Sequence, residues 1–314
     1  MRVLVTGASG FVGRHLLDAL QAAGHETIAA GGPRDGAPFV PLDVTSPVSV
    51  AQVVDDAAPG GIIHLAGQAF VPQSMADPAG TLAVNATGTA NVLEAGRAYR
   101  DRTSTPVRIL VISSAEVYGL QQPDQMPLDE HTEVRPGNPY AASKVAAEVY
   151  AHAWARAFGL DVFVARPFNH IGPGQDTRFA VASFARQLAD IAAGAPALMQ
   201  VGNLEAQRDF LDVRDVVAAY VLMLANAQAG EVYNISSGRT VAIREVLRQL
   251  ITIARVPVEI RDDPDRMRPS DLPILSGNAT KLRTATGWVP KIALAASLRD
   301  IYADAVARVA TVRA

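Results

Sequence analysis

Two side chains that would lie one helical turn apart have the types and spacing needed for proton transfer. Tyr140 and Lys144 enclose the segment Tyr140-Ala-Ala-Ser-Lys144, and residues i and i+4 of a helix share one face. A phenol with a pKa near 10 exchanges protons poorly at neutral pH, whereas a neighbouring ammonium favours the phenolate. We therefore expect Lys144 to lower the pKa of Tyr140 into the working range of a general acid or base.

A second polar segment follows an apolar run upstream. The run Arg108–Ser113 is followed by Ser114, and Glu116 comes two residues later. A hydroxyl at such a strand end can hydrogen-bond a substrate carbonyl and polarise it. We predict that Ser114 and Glu116 belong to the catalytic group and contact substrate, with an ordinary strand-end turn as the alternative for Ser114.

A glycine motif stands near the N-terminus. Gly7-Ala-Ser-Gly10-Phe-Val-Gly13 follows a short apolar run, Met1 to Thr6, and opens an amphipathic pattern from Phe11 to Ala23. A tight turn of this kind brings backbone N–H groups close to a diphosphate at the N-terminus of a helix. The motif therefore predicts a dinucleotide site, the alternative being a glycine turn without a ligand.

The end of the second strand indicates which dinucleotide would bind. A carboxylate there would bind the ribose 2′-hydroxyl, whereas an Arg would accommodate a 2′-phosphate. The strand that starts near Ile28 ends without a carboxylate, and Arg34 lies just beyond it. NADPH is therefore favoured, although the adjacent Asp35 leaves NADH open.

Further residues are predicted on the cofactor side. Asp43 is placed either to reach the adenine edge or to cap a turn, and His64 is interpreted as a packed, hydrogen-bonded histidine. The full set of predicted cofactor contacts is Gly7, Gly10, Phe11, Val12, Gly13, Arg34, Asp43, Val44, Leu65, Ala66, Gly67, Asn85, Tyr140, Lys144 and Pro167.

Short apolar runs alternate with helical patterns through the first half of the chain. The helical patterns cover Ser46–Asp56, Pro78–Tyr99 and Ser143–Phe158. This alternation is typical of an α/β fold with a doubly wound parallel sheet of the Rossmann type. We predict a dinucleotide-binding domain over residues 1–168, to which 212–235 return. A smaller, discontinuous C-terminal substrate lobe is predicted over 169–211 and 236–314.

Composition and charge exclude several classes of function. The 314 residues carry 28 Lys and Arg against 31 Asp and Glu, a formal charge of −3, so we expect no nucleic-acid partner. Cysteine is absent, which removes thiolate catalysis and cysteine-based zinc sites. No apolar run is long enough for a membrane span and no signal-peptide pattern starts the chain. A soluble, cytoplasmic protein without a metal is expected.

Taken together, these motifs resemble the extended short-chain dehydrogenase/reductase family, in the sugar-nucleotide branch that acts on GDP-mannose derivatives. The resemblance also covers Arg166-Pro-Phe-Asn-His-Ile-Gly-Pro-Gly-Gln175 and Gly202-Asn-Leu-Glu-Ala-Gln-Arg-Asp-Phe210. It implies reduction of the C4 ketone of GDP-4-keto-6-deoxy-D-mannose to GDP-D-rhamnose. It further implies that Asn169, Arg208 and Arg268 contact the nucleotide diphosphate or its flanking groups, and that the protein is a homodimer.

Other activities of the same branch remain alternatives. A 4,6-dehydratase needs a base, which Glu116 could supply, and a proton donor for the leaving hydroxyl. Ala115 stands where dehydratases usually carry a polar residue, and an alanine cannot donate a proton, so reduction is favoured. A sugar-nucleotide 4-epimerase and a non-catalytic NADPH-binding sensor complete the alternatives.

Overall fold

The structure of the protein is a computed structural model that describes residues 1–32, 39–266 and 272–313, without the side chains of 312 and 313. The strands are β1 (Arg2–Thr6), β2 (Glu26–Gly31), β3 (Val40–Pro41), β4 (Gly61–His64), β5 (Arg108–Ile112), β6 (Asp161–Pro167), β7 (Asn169–Ile171), β8 (Leu198–Val201), β9 (Gln207–Asp212), β10 (Val232–Ile235), β11 (Thr240–Ala242), β12 (Glu259–Asp262) and β13 (Ile274–Leu275).

The helices alternate with these strands. They are α1 (Phe11–Ala22), α2 (Pro47–Ala57), α3 (Val71–Ala76), α4 (Pro78–Leu82), α5 (Gly88–Thr103), α6 (Pro139–Phe158), α7 (Ala180–Ala192), α8 (Val213–Asn226), α9 (Ile243–Ala254), α10 (Thr280–Thr286) and α11 (Leu294–Arg313). Short 3-10 turns occur at Ala115–Tyr118, Pro123–Gln125 and Pro264–Arg266, and a π turn at Ala83–Thr87.

A seven-stranded parallel sheet forms the centre of the molecule. Its strand order is β10-β6-β5-β4-β1-β2-β3, and neighbouring strands pair in parallel throughout. The direction of progression reverses between β1 and β4, which is where ligands bind in doubly wound folds. The predicted fold class is confirmed.

Helices cover both faces of this sheet. Apolar side chains of α1 and α8 pack on one face in a cluster with Val3, Val5 and Phe163, whereas α2, α5 and α6 cover the other face over Leu4 and Ile62. The central strands β1, β4, β5 and β6 are therefore buried on both sides, which explains why the sequence shows continuous apolar runs and not alternation.

The C-terminal half adds smaller sheets beside the carboxyl ends of the main strands. β11, β9 and β13 form a sheet to which β7 also pairs, and β12 pairs with β8. Helices α7, α9 and α11 enclose a separate apolar cluster there. Strand β10 lies in the main sheet, as the proposed return of residues 212–235 requires, and the division into two lobes stays a prediction.

Two helices depart from the sequence prediction. The helix expected over Pro78–Tyr99 is divided by the π turn, and the one expected from Ser143 begins at Pro139, where Asn138 accepts a hydrogen bond from the Ala141 N–H at 2.9 Å. Strand β7 follows directly after Phe168. The helical pattern over Ser46–Asp56 corresponds to α2, which Ser46 caps by accepting from the Ser49 N–H at 3.3 Å.

Within the described ranges, no helix combines the length and apolar character needed to cross a membrane.

Candidate active site

A cavity of about 280 Å³ opens at the carboxyl edge of the main sheet, at the point where the strand order reverses. Four chain segments line it: the turn after β1, the end of β2, the loop after β3, and the segment after β4. The lining residues are Gly7, Ser9, Gly10, Gly31, Gly32, Leu42, Val44, Leu65, Ala66 and Gly67. Six of these were predicted as cofactor contacts, whereas Ser9, Gly31, Gly32 and Leu42 were not.

The glycine turn meets the requirements of a dinucleotide diphosphate. Gly7 has a φ of +70°, and a Cβ there would lie 2.6 Å from the Ala66 nitrogen, so no other residue fits. Helix α1 starts after Gly10 with no side-chain cap and no acidic residue in its first turn. The exposed N–H groups and the positive end of the helix dipole therefore face the cavity and suit an anion.

Several predicted cofactor residues do not line the cavity. A Cβ on Gly13 would lie 2.4 Å from the Ala8 oxygen, so this glycine permits close packing of α1. Phe11 stacks on His170 with ring centroids 6.2 Å apart, Val12 packs against the adjoining apolar cluster, and Pro167 is buried at the end of β6.

Asp43 occupies the turn before α2. Its Oδ1 accepts hydrogen bonds from the Thr45 N–H at 2.9 Å and the Thr45 hydroxyl at 2.7 Å, and the hydroxyl bond is the main reason that the pKa of Asp43 is lowered. The turn-capping alternative is thus realised, and the neighbouring Leu42 and Val44 line the cavity.

Arg34 and Arg268, predicted at the 2′-phosphate and the substrate diphosphate, lie outside the described residues.

Lys144 reaches the inner end of the cavity. Its Nζ donates to the Ile112 carbonyl at 2.8 Å, and a Cβ on Gly67 would lie 3.3 Å from the same nitrogen. Asn85, which lies in the π turn, is fixed beside it: its Nδ2 donates to the Gln68 carbonyl and to the Ser143 hydroxyl, each at 2.9 Å. The predicted cofactor contacts Gly67, Asn85 and Lys144 therefore meet at one place.

Tyr140 stands one helical turn before Lys144 and is 7% exposed. Burial raises the pKa of Tyr140 to about 12, a hydrogen bond with Ser114 acts to lower it, and the negative charge of Glu116 raises it further. The expectation that Lys144 lowers the pKa of Tyr140 is wrong for the protein by itself, because desolvation of the phenolate outweighs the favourable interactions. The structure thus brings Ser114, Glu116 and Tyr140 together, with the phenol protonated at neutral pH.

The pKa of Lys144 lies closer to neutral pH than that of a lysine in water. Burial lowers the pKa of Lys144 to about 8, and the carboxylate of Glu148 counteracts this effect. His64, at the end of β4, is buried and shares a 2.7 Å hydrogen bond with the Thr6 hydroxyl. Burial lowers the pKa of His64 to about 3, with a smaller contribution from Lys144. His64 is therefore neutral, which fits its interpretation as a packed histidine.

The 3-10 turn after β5 carries Ser114, Ala115 and Glu116. The Ser114 hydroxyl caps this turn, accepting from the Glu116 N–H at 3.2 Å. Ala115 is 2% exposed and packs in an apolar cluster with Tyr118 and Phe168. No proton donor for a leaving hydroxyl is supplied from this position.

The predicted substrate contacts Asn169 and Arg208 lie on neighbouring strands. Asn169 of β7 pairs in register with Phe210 of β9, and Arg208 stands two residues before Phe210, so both side chains share a face of that sheet. The Arg208 Nη1 donates to the Leu272 carbonyl at 2.6 Å and to the Gln207 carbonyl at 2.9 Å. The guanidinium is thereby held between β9 and the segment that begins at Leu272.

One contact across the cleft was not predicted. Phe70, from the loop after β4, packs edge-on against Phe179 with centroids 6.0 Å apart, and the Arg178 guanidinium lies 5.1 Å from the Phe70 ring centroid. The three residues join the main sheet to the N-terminal end of α7. Their sequence signal was weak, since an isolated Phe in a loop predicts neither burial nor contact.

Comparison with known proteins agrees with this geometry. The family model of GDP-mannose 4,6 dehydratase matches residues 4–301. The chain is 43% identical over 313 residues to the GDP-6-deoxy-D-mannose reductase of Pseudomonas aeruginosa, covering 98% of both chains. The solved structure of RMD from Pseudomonas aeruginosa complexed with NADPH has a TM-score of 0.86 and 41% identity, covering 98% of this chain and 100% of that one.

A more distant relative is the UDP-glucose 4-epimerase of Mycolicibacterium smegmatis, 32% identical over 94% of this chain and 95% of its own.

The parallel sheet, the glycine turn and the paired Tyr and Lys define an NAD(P)-dependent oxidoreductase that acts on CH–OH groups, with the short-chain dehydrogenase/reductase fold. The chain belongs to the GDP-mannose 4,6 dehydratase family.

Proposed function

We propose that this protein reduces the C4 ketone of GDP-4-keto-6-deoxy-D-mannose with NADPH, giving GDP-D-rhamnose (GDP-6-deoxy-D-mannose). The observation that carries the proposal is the 43% identity to a GDP-6-deoxy-D-mannose reductase along almost the full length of both chains. The structure of RMD with NADPH supports the choice of reductant.

The residues that would hold NADPH follow from the cavity. The N–H groups at the start of α1 suit the diphosphate, Leu42 and Val44 line the adenosine side, and Lys144 with Asn85 closes the nicotinamide side beside Gly67. When bound, NADPH supplies the hydride that is added to C4 of the sugar.

The protein's own residues handle the proton. Tyr140 donates its phenolic proton to the ketone oxygen, which becomes the C4 hydroxyl, and the resulting phenolate is reprotonated from solvent. Because burial raises the pKa of Tyr140 to about 12, the phenol carries its proton throughout the physiological range. Ser114 is close enough to Tyr140 to hydrogen-bond the same ketone oxygen, and the charge of Lys144 stabilises the phenolate.

The substrate is bound on the opposite side of the cleft. Arg208, with Asn169 on the same sheet face, is proposed to bind the diphosphate of the nucleotide sugar through charge-assisted hydrogen bonds. Glu116 is proposed to contact the sugar. Arg268 completes the proposed set by family resemblance.

The protein is further proposed to be a cytoplasmic homodimer. Residues of α6 expose apolar side chains on the outer side of the helix layer: Val149 is 60% exposed, Tyr150 41% and Phe158 45%. A second copy that packs its own α5 and α6 against this surface would remove it from water. The cytoplasmic location is inferred from the nucleotide-sugar substrate and from NADPH.

One assay tests the activity and its alternatives. Purified protein is mixed with NADPH and GDP-4-keto-6-deoxy-D-mannose, loss of NADPH absorbance is followed, and the product is identified by NMR. Stoichiometric formation of GDP-D-rhamnose is expected. A keto product from GDP-mannose alone would instead indicate a dehydratase, and exchange of C4 configuration without net NADPH consumption would indicate an epimerase.

A further inference from the structure

A buried ion pair joins the helix that carries Tyr140 and Lys144 to strand β6. Glu148 of α6 and Arg166 of β6 are 4% and 6% exposed. Arg166 donates through Nε to Glu148 Oε1 at 2.9 Å and through Nη2 to Oε2 at 2.6 Å. Desolvation of both charges offsets most of their attraction, so stability alone is a weak reason for such a pair.

Hydrogen bonds connect this pair to the segment that carries Ser114. The Ser113 hydroxyl donates to Glu148 Oε1. Ser113 stands between Ile112, whose carbonyl accepts from Lys144, and Ser114. The carboxylate of Glu148 therefore fixes the end of β5 relative to α6.

The same pair reaches the other end of the 3-10 turn that holds Glu116. Arg166 Nη1 donates to the Tyr118 hydroxyl at 3.0 Å, and that hydroxyl donates to Asn234 Oδ1 at 2.7 Å. Both ends of the Ser114–Tyr118 segment are thus held by bonds that start at one ion pair.

Glu148 also acts on Lys144 through its charge. It stands one helical turn after Lys144, and its carboxylate counteracts the effect of burial on the pKa of the ammonium. The other ionisable groups around Lys144 are the neutral His64 of β4, the neutral Tyr140 of the same helix, and Arg166 of β6, which is bonded to Glu148. In the described chain, Glu148 is therefore the group that favours the charged form of Lys144.

We propose that Glu148, held by Arg166, is a positioning residue that keeps Lys144 charged and fixes the strand end that carries Ser114. The role in turnover rests on the proposed reductase function, whereas the effect on Lys144 can be measured without substrate.

The substitution Glu148→Gln tests the charge. An amide retains an acceptor for Ser113 and Arg166 but carries no charge. The chain has three lysines, Lys144, Lys281 and Lys291, so NMR of protein labelled with ¹³C at lysine Cε gives three titrating signals, and Lys144→Met assigns one. We expect the titration midpoint of Lys144 to fall by about one pH unit in Glu148→Gln and by less in Glu148→Asp. An unchanged midpoint in both variants would overturn the proposal.

Kinetics provides the second readout. The pH at which kcat declines on the alkaline side should follow the same order, wild type above Glu148→Asp above Glu148→Gln. Ser113→Ala should lower kcat by about tenfold without moving that pH, because it removes a positioning bond and retains the charge. Glu245→Gln, in an exposed pair with Arg248, is the matched control and should change neither quantity.

The outcomes separate the two proposals. If the titration midpoint of Lys144 falls in Glu148→Gln but the wild-type protein does not reduce the GDP-keto sugar, the positioning role is supported and the proposed substrate is rejected. If the protein reduces the keto sugar but kcat declines at the same alkaline pH in Glu148→Gln as in the wild type, the positioning role is rejected and the proposed substrate stands. If Glu148→Gln lacks the near-ultraviolet circular dichroism of the folded protein, Glu148→Asp decides, since its midpoint must lie below that of the wild type.

Discussion

Tyr140 binds its proton more tightly than a tyrosine in water, because the surrounding protein disfavours the phenolate. This suits a reaction in which the phenol gives its proton to a ketone that is gaining a hydride. The charge of Lys144 then becomes useful after the proton has left, when the phenolate must be stabilised in a buried site.

Substitution of Tyr140 by Phe removes the proton donor and little volume. We expect kcat for the keto sugar to fall by about 10²–10⁴-fold, with the Kd for NADPH changed less than about twofold, as measured by stopped-flow turnover and fluorescence titration. Tyr150→Phe, on the outer side of the same helix, serves as the control and should retain activity. Near-normal turnover in Tyr140→Phe would remove this residue from the mechanism.

The pH dependence of turnover should reflect Lys144. Because the pKa of Lys144 is lowered to about 8, its charged form predominates below that pH and is lost above it. Turnover is therefore expected to decline as the pH rises through about 8, without a matching acid limb from Tyr140, which stays protonated. A kcat profile between pH 6 and 10 measures this, and a flat profile would contradict a charge requirement at Lys144.

At the scale of residues, the sequence predicted which side chains lie together in the site but not how their surroundings change their pKa values. The i and i+4 spacing places Tyr140 and Lys144 on one face regardless of context. The direction of the Tyr140 pKa, in contrast, depends on how much water reaches the phenol, and no spacing reports that. Phe70 and its partners also escaped prediction, since they meet only after distant segments fold together.

At the scale of elements, the turn between β1 and α1 determines whether the cofactor can bind. Gly13 faces the Ala8 backbone so closely that an added methyl group must displace α1. The N–H groups at the start of that helix would then move away from the diphosphate.

We expect Gly13→Ala to weaken NADPH binding at least tenfold and to lower the Tm by several degrees, as followed by isothermal titration calorimetry and thermal unfolding. Gly60→Ala is the matched control, because a Cβ there would make only ordinary contacts, 3.7 Å from Met1 Cβ. Unchanged affinity in Gly13→Ala would show that the close packing of α1 is not required.

Element boundaries were predicted where a local signal exists. Ser46 followed by Pro47 marks the start of α2, and the structure starts the helix there. The π turn at Ala83–Thr87 has no such signal, because none of its residues is a Gly or Pro that would interrupt the helical pattern. Such turns are frequently found at functional sites, and this one carries Asn85.

At the scale of the whole molecule, the outer surface of α6 determines the expected assembly. Val149→Glu places a charge in the proposed interface and should convert the homodimer to a monomer, measured as a halved mass by light scattering after size exclusion. Val306→Glu on α11, where the side chain is 42% exposed, is the control and should retain the wild-type mass. A dimer that survives Val149→Glu would place the interface elsewhere.

The sheet architecture was predictable from the chain because parallel strands buried on both faces need continuous apolar runs. The smaller sheets were harder to predict from the chain. Strand β11 has three residues and β13 has two, and both form by pairing with β9 from distant parts of the chain.

The course of the chain has a consequence for hybrid enzymes. It leaves the main sheet at Phe168, returns through α8 to β10, and leaves again after Ile235. A chimera made with a single crossover between β9 and β11 would therefore combine one parent's β7 and β9 with the other parent's β11 and β13, which must pair as one sheet. Exchange of nucleotide-sugar preference between relatives should succeed only when both segments, 169–211 and the part after 235, are transplanted together.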